Sequence, residues 1–568
     1  MKTNILTLLV LFLFSCKFGL KEEKIYDIQK HVTNVPAGVA SAHPLASQIG
    51  TDILEAGGNA IDAAIAVHFA LAVCYPGAGN IGGGGFLLYR EENGNVACLD
   101  FREKAPSGAT KDMYLDSIGN PITEASLYGA LAAGVPGSVD GMYEAFLKFS
   151  KLKNWEKLLQ PAIGLAENGY RITVNEAEML KKNQNKFKKN NVDKTVFQKD
   201  DWKPGDLLIQ KSLGETLKRI QKNKKAGFYE GLTADLIVAE MKRSGGIITH
   251  EDLRNYHSVW RKPMVGNYRG HKVYSMPPPS SGGIALLQLL KMVEPYPLEK
   301  MEFHSPEHLH VVAEAERRVY ADRAKHLGDP DFYNVPQENL LDSAYIVGRM
   351  KNFNPRKASL SDSIFPGIFE KEETTHFSIV DIEGNAVAVT TTLNGSYGAY
   401  TVVEGAGFLL NNEMDDFSVK PGTPNLYGLI GYEANKIEPG KRMLSSMTPT
   451  IIEKNGTLFM VVGTPGGSTI ITSVFQLIIN IIDFKKDLFS AVQTSRFHHQ
   501  WQPDILYFEK DGVPEKTIKV LEMIGHHCKP RETIGRVEAI LANTTSDFTI
   551  VADKRGDDHA AGCDPKKR

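Results

Sequence analysis

Thr374 stands between a charged run, "FEKEE" at 369–373, and an apolar stretch from His376 that reads as a strand. A threonine hydroxyl is a weak nucleophile and needs a base beside it. The residue's own α-amine is one such base if threonine is first in its chain. A free α-amine has a pKa of about 7.7–8.0, so a useful fraction is unprotonated at neutral pH. That condition requires a cut between Glu373 and Thr374. Thr-Thr before a strand is by itself only β-propensity, so the weight falls on what lies downstream. "TTTLNGS" places Thr392 and Asn394 on one face of a strand by its alternation. "LLNNEMDDFS" gives Glu413 and Asp416, two carboxylates suited to an ammonium group. Ser445-Ser446 adds two hydroxyls, and Gly466-Gly467 in "GTPGGS" offers backbone amides able to form an oxyanion hole. Together these residues ask for a substrate carrying both an amine and a carboxylate.

The elements that must position them follow from pattern. Ala46–Ala56 and Ala60–Val73 read as helices split by Gly57-Gly58-Asn59, the second Ala-rich on nearly every face and so expected to be buried. "CYPGAGNIGGGGFLLYR" is a glycine loop running into a strand. It lacks the Lys-Ser/Thr end of a phosphate loop and leads into a strand where nucleotide motifs need a helix, so close backbone packing is the expectation. "ACLDFREKAPSGA" is a short strand ending near Arg102. Residues 140–260 read as mostly helical, and Ser305-Pro306-Glu307 is a strong helix start. Residues 355–373 are expected to be an exposed, flexible segment. "HFSIVDIEGNAVAVTTTL", "TPTIIEKNGTLFMVVGTPGG" and "RVEAILANTTSDFTIVAD" read as hairpins, and "TIITSVFQLIINIIDF" as a buried helix.

At 568 residues the chain has room for one very large domain or two to four ordinary ones, and 42% hydrophobic with 23% charged residues is a globular composition. A formal net charge of −2 gives no basic field for nucleic acid. The lysines of "KKNQNKFKK" (181–189) are read as a solvated face. The N-terminus has Lys2, then an apolar core Ile5–Phe14 that is short for a membrane span and fits a secretory signal. "LFSC" at 13–16 resembles a lipobox, so residues 1–16 are expected to be a signal peptide, with Cys16 lipidated and the protein periplasmic or extracytoplasmic. The plain alternative is an ordinary signal with an incidental Cys. Cys74, Cys98, Cys528 and Cys563 have no metal-like spacing; buried thiols are expected, with one disulfide possible.

The motifs "LDFREKAP", "TTHFSIVDIEGNAVAVTTTLN", "NNEMDDFS", "RMLSSMTPTI", "GTPGGSTIIT" and "RFHHQWQPD", in this order from about 38 to 560, resemble those of the γ-glutamyltransferase (γ-glutamyltranspeptidase) family of N-terminal nucleophile hydrolases. The resemblance implies an α+β fold, a four-layer αββα sandwich with two stacked antiparallel sheets between helical layers. It implies self-cleavage before Thr374, through attack of the Thr374 hydroxyl on the Glu373 carbonyl, into a large subunit 17–373 and a small subunit 374–568 that stay together as a heterodimer. Freed Thr374 then takes the γ-glutamyl group of glutathione or another γ-glutamyl compound, and water or an acceptor amino acid or peptide releases it. No cofactor and no metal are implied. Position by position, Thr392 is expected to orient Thr374 and Gly466 and Gly467 to form the oxyanion hole. Arg102 would grip the substrate α-carboxylate with help from Ser445 and Ser446. Asn394, Glu413 and Asp416 would take the α-amino group. Many bacterial members carry Gln where this chain has Glu413; the extra anion should still hold an ammonium. "PNLYGLIGYEAN" (424–435) resembles a lid loop with Tyr427 as its shielding aromatic, which argues for small substrates over polymers.

Two other readings stay open at this point: an acylase of the same family acting on another amide, and a secreted binding lipoprotein without catalysis. His304, His308 and His310 tempt as metal ligands, but no HExxH is present and none is expected to bind metal. His498-His499 are assigned to packing and hydrogen bonding, Asp322-Arg323 to a structural ion pair, and Glu55 and Asp62 to structural roles.

Overall fold

A computed structural model describes residues 25–361, 374–423, 425 and 429–565. The signal-like start with Cys16, the acid Glu373 and the lid residue Tyr427 lie outside the described residues.

Small side chains decide the first layer. The alanine run forms α2 (Ala60–Cys74), buried along its whole length, and it packs closely on α1 (Pro44–Glu55). Asn59 and Asp62 cap α2 reciprocally, each side chain taking the other's backbone N–H. Asp62 also accepts the backbone N–H groups of Lys151 and Leu152, both at 3.0 Å, so its role is structural as expected.

Fourteen of the described strands build two sheets. In chain order they are β1 (His31–Val35), β2 (Ala37–Ser41), β3 (Gly84–Arg90), β4 (Val96–Asp100), β5 (Val259–Arg261), β6 (Met264–Tyr268) and β7 (His271–Ser275). Then come β8 (Thr375–Val380), β9 (Ala386–Thr392), β10 (Thr450–Lys454), β11 (Thr457–Gly463), β12 (Glu538–Thr544), β13 (Asp547–Val551) and β14 (His559–Cys563). One seven-stranded sheet runs β14-β2-β8-β9-β3-β4-β5 and the other β1-β13-β12-β11-β10-β7-β6. Strands from before and after Thr374 are interleaved in both, as where β2 lies between β14 and β8.

Three cores separate four layers. On β9, Val387 and Val389 face the helical layer of α1 and α2, while Ala386 and Ala388 face the second sheet. On β10, Ile451 joins the core between the sheets. Its neighbour Ile452 packs toward α3 (Gly282–Val293), α4 (Pro306–His326) and α5 (Thr469–Ile482). The expected αββα sandwich is the observed one. Strands covered on both faces bury every residue, as β8 and β9 do, polar Thr375, His376 and Ser378 included.

The stretch 140–260 is mostly helical, from the helix Ser138–Phe149 to the helix His250–Arg254. Within it the helix Val174–Lys189 buries Leu180 and Phe187 and leaves Lys181, Lys188 and Lys189 outside, paired with surface acids. Cys74, Cys98 and Cys563 are buried free thiols and Cys528 is half-buried. The exposed reading of 355–373 holds at Pro355, Arg356, Lys357 and Leu360 but not at Ala358 and Ser361, and 362–373 lie outside the described residues. Ala358 and Ser361 are buried: the Ala358 N–H donates to Ile524 O at 2.7 Å and the Ser361 N–H to Asp504 Oδ2 at 2.7 Å. Arg317 on α4 bonds both Ser361 and Asp504, so the chain is fastened to α4 before it leaves the described residues.

Candidate active site

Thr374 immediately precedes β8 and is 4% exposed. The β8–β9 register pairs Thr375 with Thr391, which sets Thr374 level with Thr392, and both line one small cavity. The end of β9 is held by Asn80, whose Nδ2 donates to Thr391 Oγ1 (3.1 Å) and Thr392 O (2.9 Å). The glycine loop lets that happen: a Cβ on Gly83 would stand 2.1 Å from Thr392 O. Close backbone approach, the sequence expectation, is therefore what the loop provides.

Asn394 reaches the same cavity, but not by strand alternation. β9 stops at Thr392, and Asn394 turns the chain with φ 74°. Its N–H donates to Thr392 Oγ1 at 2.7 Å and its Nδ2 to Asn412 O at 2.9 Å. A left-handed turn, which Asn tolerates, replaces the extended backbone expected there.

Arg102, one residue past Phe101 at the end of β4, is fully buried. Its Nη1 lies 2.6 Å from Glu413 Oε2 and 3.4 Å from Glu103 Oε2, its Nη2 bonds Asp416, and its Nε donates to Met443 O at 3.3 Å. Glu413 and Asp416, expected opposite Arg102 across a substrate, thus hold it directly here. Burial pushes all three carboxyls up, against the pull of Arg102: Glu103 to about 7, Glu413 well above its usual range, and Asp416 upward as well. Asn411 sets Glu413 in place by accepting its N–H at 3.0 Å. Ser445 and Ser446 line the cavity from the opposite side, on a segment tied by the Ser445 N–H to Pro279 O at 2.9 Å.

Gly467 lines this cavity and Gly466 lines a wider groove on the other side of Thr374; Thr374 borders both. The two glycines have φ 134° and 41°, and a Cβ on Gly466 would lie 2.5 Å from Thr469 Oγ1. Side chains are excluded at this turn, which leaves backbone amides as its chemistry. The groove also presents Tyr75, Lys182, Arg536 and Asp557.

The structure thus brings together Arg102, Thr374, Thr392, Asn394, Glu413, Asp416, Ser445, Ser446 and Gly467 at one cavity, with Gly466 at its edge. Two residues escaped the sequence reading. Asn425 donates from Nδ2 to Asp416 Oδ1 at 3.1 Å. Arg323 lines the cavity and donates from Nη2 to Ser446 Oγ at 3.0 Å. The Asp322–Arg323 pair expected from "YADR" does not form. Asp322 instead bonds Arg349 (3.1 Å) and Tyr345 (2.9 Å), because adjacent helical residues point to different faces. Helical phase was the available signal, since Val312, Glu316, Val319, Tyr320 and Arg323 fall on one face of α4, a helix buried along most of its length.

The assigned packing histidines behave as such. His498 bonds Thr472 (2.9 Å) and Gln500 (2.9 Å), and His499 bonds Asp504 (3.2 Å), all away from Thr374's cavity. Among the described residues His310, Glu314 and His526 approach one another. His310 and His526 are hydrogen-bonded at 2.7 Å, and Glu314 is taken by Arg318 at 2.6 Å and Arg317 at 3.3 Å. Two guanidinium groups on that carboxylate oppose a cation there.

The family model described as gamma-glutamyltranspeptidase matches residues 46–563. This chain belongs to that family. It is 46% identical over 552 residues to the glutathione hydrolase proenzyme of Escherichia coli (strain K12), covering 96% of this chain and 94% of the relative. Among solved structures it superposes on a cephalosporin acylase from Bacillus halodurans with TM-score 0.81 at 25% identity, covering 96% of this chain and 99% of that one. It also matches a Helicobacter pylori gamma-glutamyltranspeptidase at 46% identity and TM-score 0.56, covering 60% of this chain and 97% of that one. Membership accounts for the four layers and for the order of the motifs around Thr374.

Proposed function

We propose that this protein is a γ-glutamyltransferase and glutathione hydrolase that matures by cutting its own chain at Glu373–Thr374. The observation that carries the reading is the position of Thr374, between a small, charged cavity and a wider groove, with a glycine pair spanning both. The proenzyme relative and the H. pylori chain, whose match covers 60% of this one, support processing into two pieces.

In maturation the Thr374 hydroxyl attacks the Glu373 carbonyl carbon. The C–N bond breaks, nitrogen takes the proton, and water hydrolyses the ester, leaving Thr374 with a free amine. In turnover that amine takes the hydroxyl proton as Oγ attacks the γ-carbonyl of the donor. The oxyanion turns to the Gly466 and Gly467 amides, and the leaving amine departs protonated through the groove. Water or an acceptor amine entering by the same groove resolves the ester. In this reading the donor's ammonium lies among Glu413, Asp416 and Asn394, and its carboxylate near Arg102 and the Ser445-Ser446 hydroxyls. In the same reading 424–435 is the lid, from which Asn425 donates to Asp416. The apolar run Ile5–Phe14 and "LFSC" support export and a lipid anchor at Cys16.

The test compares L-γ-glutamyl-4-nitroanilide with glutaryl-4-nitroanilide, which lacks only the α-amine, on the mature protein. Strong preference for the glutamyl compound is expected. Equal turnover of both moves the protein to the acylase reading, and turnover of neither leaves the inert-lipoprotein reading.

Two further results are expected. Gly466→Ala keeps its amide N–H, but its Cβ would lie 2.5 Å from Thr469 Oγ1 at φ 134°, so the turn must shift and misplace the donor; kcat should fall by up to about 10²- to 10³-fold, the usual worth of one oxyanion donor, and an unchanged kcat removes the pair from the mechanism. Protonation of the carboxylate cluster should compete with the donor ammonium. Glu103 is charged above about 7 and gains its proton below it. The inhibition constant of L-glutamate should therefore weaken progressively as pH falls from 8 to 5, as Glu413 and Asp416, which line the cavity and are also raised by burial, take up protons. A flat profile from pH 5 to 8 contradicts this.

A further inference from the structure

Arg102 is the cation expected to grip the donor's α-carboxylate, yet Glu103, Glu413, Asp416 and the Met443 carbonyl already engage its Nη1, Nη2 and Nε. A second carboxylate entering this cavity needs donors that these anions have not taken. The Ser446 hydroxyl is such a donor, and Arg323, whose charge also bears on Asp416, stands behind it. Arg323, 4% exposed on α4, donates from Nε to Ser281 Oγ at 3.0 Å and from Nη2 to Ser446 Oγ at 3.0 Å. The Ser281 hydroxyl passes its own proton to Ser445 O at 2.7 Å. Ser446 Oγ accepts from a guanidinium, so its single proton must be given elsewhere. Ser446 lines the cavity, and the cavity is where that proton can be received. A hydroxyl polarised by an arginine behind it is also a stronger donor in front.

We propose that Arg323 is a positioning residue for donor specificity: acting through Ser446, it turns that hydroxyl into a fixed hydrogen-bond donor for the substrate's α-carboxylate. The geometry fits a guanidinium better than an ammonium, because one planar fork meets two hydroxyls 165 residues apart in sequence (Ser281 and Ser446). The inference rests on the γ-glutamyl reading of the cavity.

The test measures inhibition constants of L-glutamate and 4-aminobutyrate on the mature protein, the second being the first without its α-carboxylate. Arg323→Gln should weaken L-glutamate roughly 10- to 100-fold, the worth of a charge-assisted hydrogen bond, and leave 4-aminobutyrate within about twofold. Arg323→Lys should fall between, because it keeps the charge and loses the fork. Ser446→Ala should weaken L-glutamate in the wild type and add little in Arg323→Gln, since both changes remove one interaction. Equal weakening of both ligands shows a structural strut and overturns the proposal, as does additivity of the two substitutions. If Arg323→Gln does not fold, Arg323→Lys and Ser446→Ala give the same discrimination. A wild type that L-glutamate does not inhibit refutes the γ-glutamyl reading itself, which separates the two failures.

Discussion

Thr374→Ala should yield a protein that stays uncut between Glu373 and Thr374 and turns over no γ-glutamyl substrate. One hydroxyl serves both acts. It attacks the Glu373 carbonyl in the precursor and the donor carbonyl afterwards, so no residue can stand in for it at either step. Removing a nucleophile of this kind costs on the order of 10⁴-fold or more. Denaturing gels should show a single band where wild type shows two, with a length ratio near 2:1. Thr374→Ser retains a hydroxyl and, once cut, an α-amine; it loses one methyl at a site 4% exposed. It should be processed and active at reduced rate. A Thr374→Ala protein that still splits ends the assignment of the nucleophile.

Arg102→Gln should cost both activity and the folded state. Its guanidinium is buried against Glu103, Glu413 and Asp416, and neutralising it strands three largely buried carboxylates. Breaking a buried pair from one side costs roughly 3–5 kcal/mol. The carboxyls can lower that cost by taking up protons, since burial already raises Glu103, Glu413 and Asp416. An acid whose folded pKa lies above its unfolded value stabilises the fold at low pH and loses that contribution as pH rises through the folded value. The deficit in Tm should therefore be smaller at pH 5 than at pH 8. kcat/KM for the glutamyl anilide should fall by about 10²-fold or more, as when a partner of a buried charge pair is truncated. Arg102→Lys should recover part of the stability and little of the activity, because an ammonium lacks the planar fork that meets Glu413 and Asp416 through separate nitrogens. A Tm equal to wild type at both pH values contradicts this account.

Much of this was readable in the amino-acid sequence, for reasons that differ by element. The alanines of 60–74 announce a helix with no wet side, and the glycines of 82–85 announce close backbone contact. The cluster around Thr374 was legible because its members sit in short motifs, each with one chemistry. Sheet layering was hidden, since strands such as Ala386–Thr392 are covered on both faces and show no clean alternation. Asn394 was placed by a strand period that ends two residues too early, and nothing in "TLNGS" other than Asn-Gly warns of the reversal. Arg323 was lost to the nearest acid in sequence, although helical geometry forbids that pairing and points the side chain inward. Ser361 looked exposed by composition; the guanidinium that buries it is 44 residues away.

The interleaving of early and late strands has a consequence for the protein once it is cut. Five strand pairings, β1–β13, β7–β10, β2–β14, β2–β8 and β3–β9, join residues on opposite sides of Thr374. Neither piece owns a complete sheet. The precursor reaches its native state by a unimolecular search, but recovery of the nicked form from denaturant requires two molecules to meet. Its renaturation yield should depend on dilution, and the assembled pair persists because it unravels slowly, as a structure inherited from an uninterrupted polypeptide.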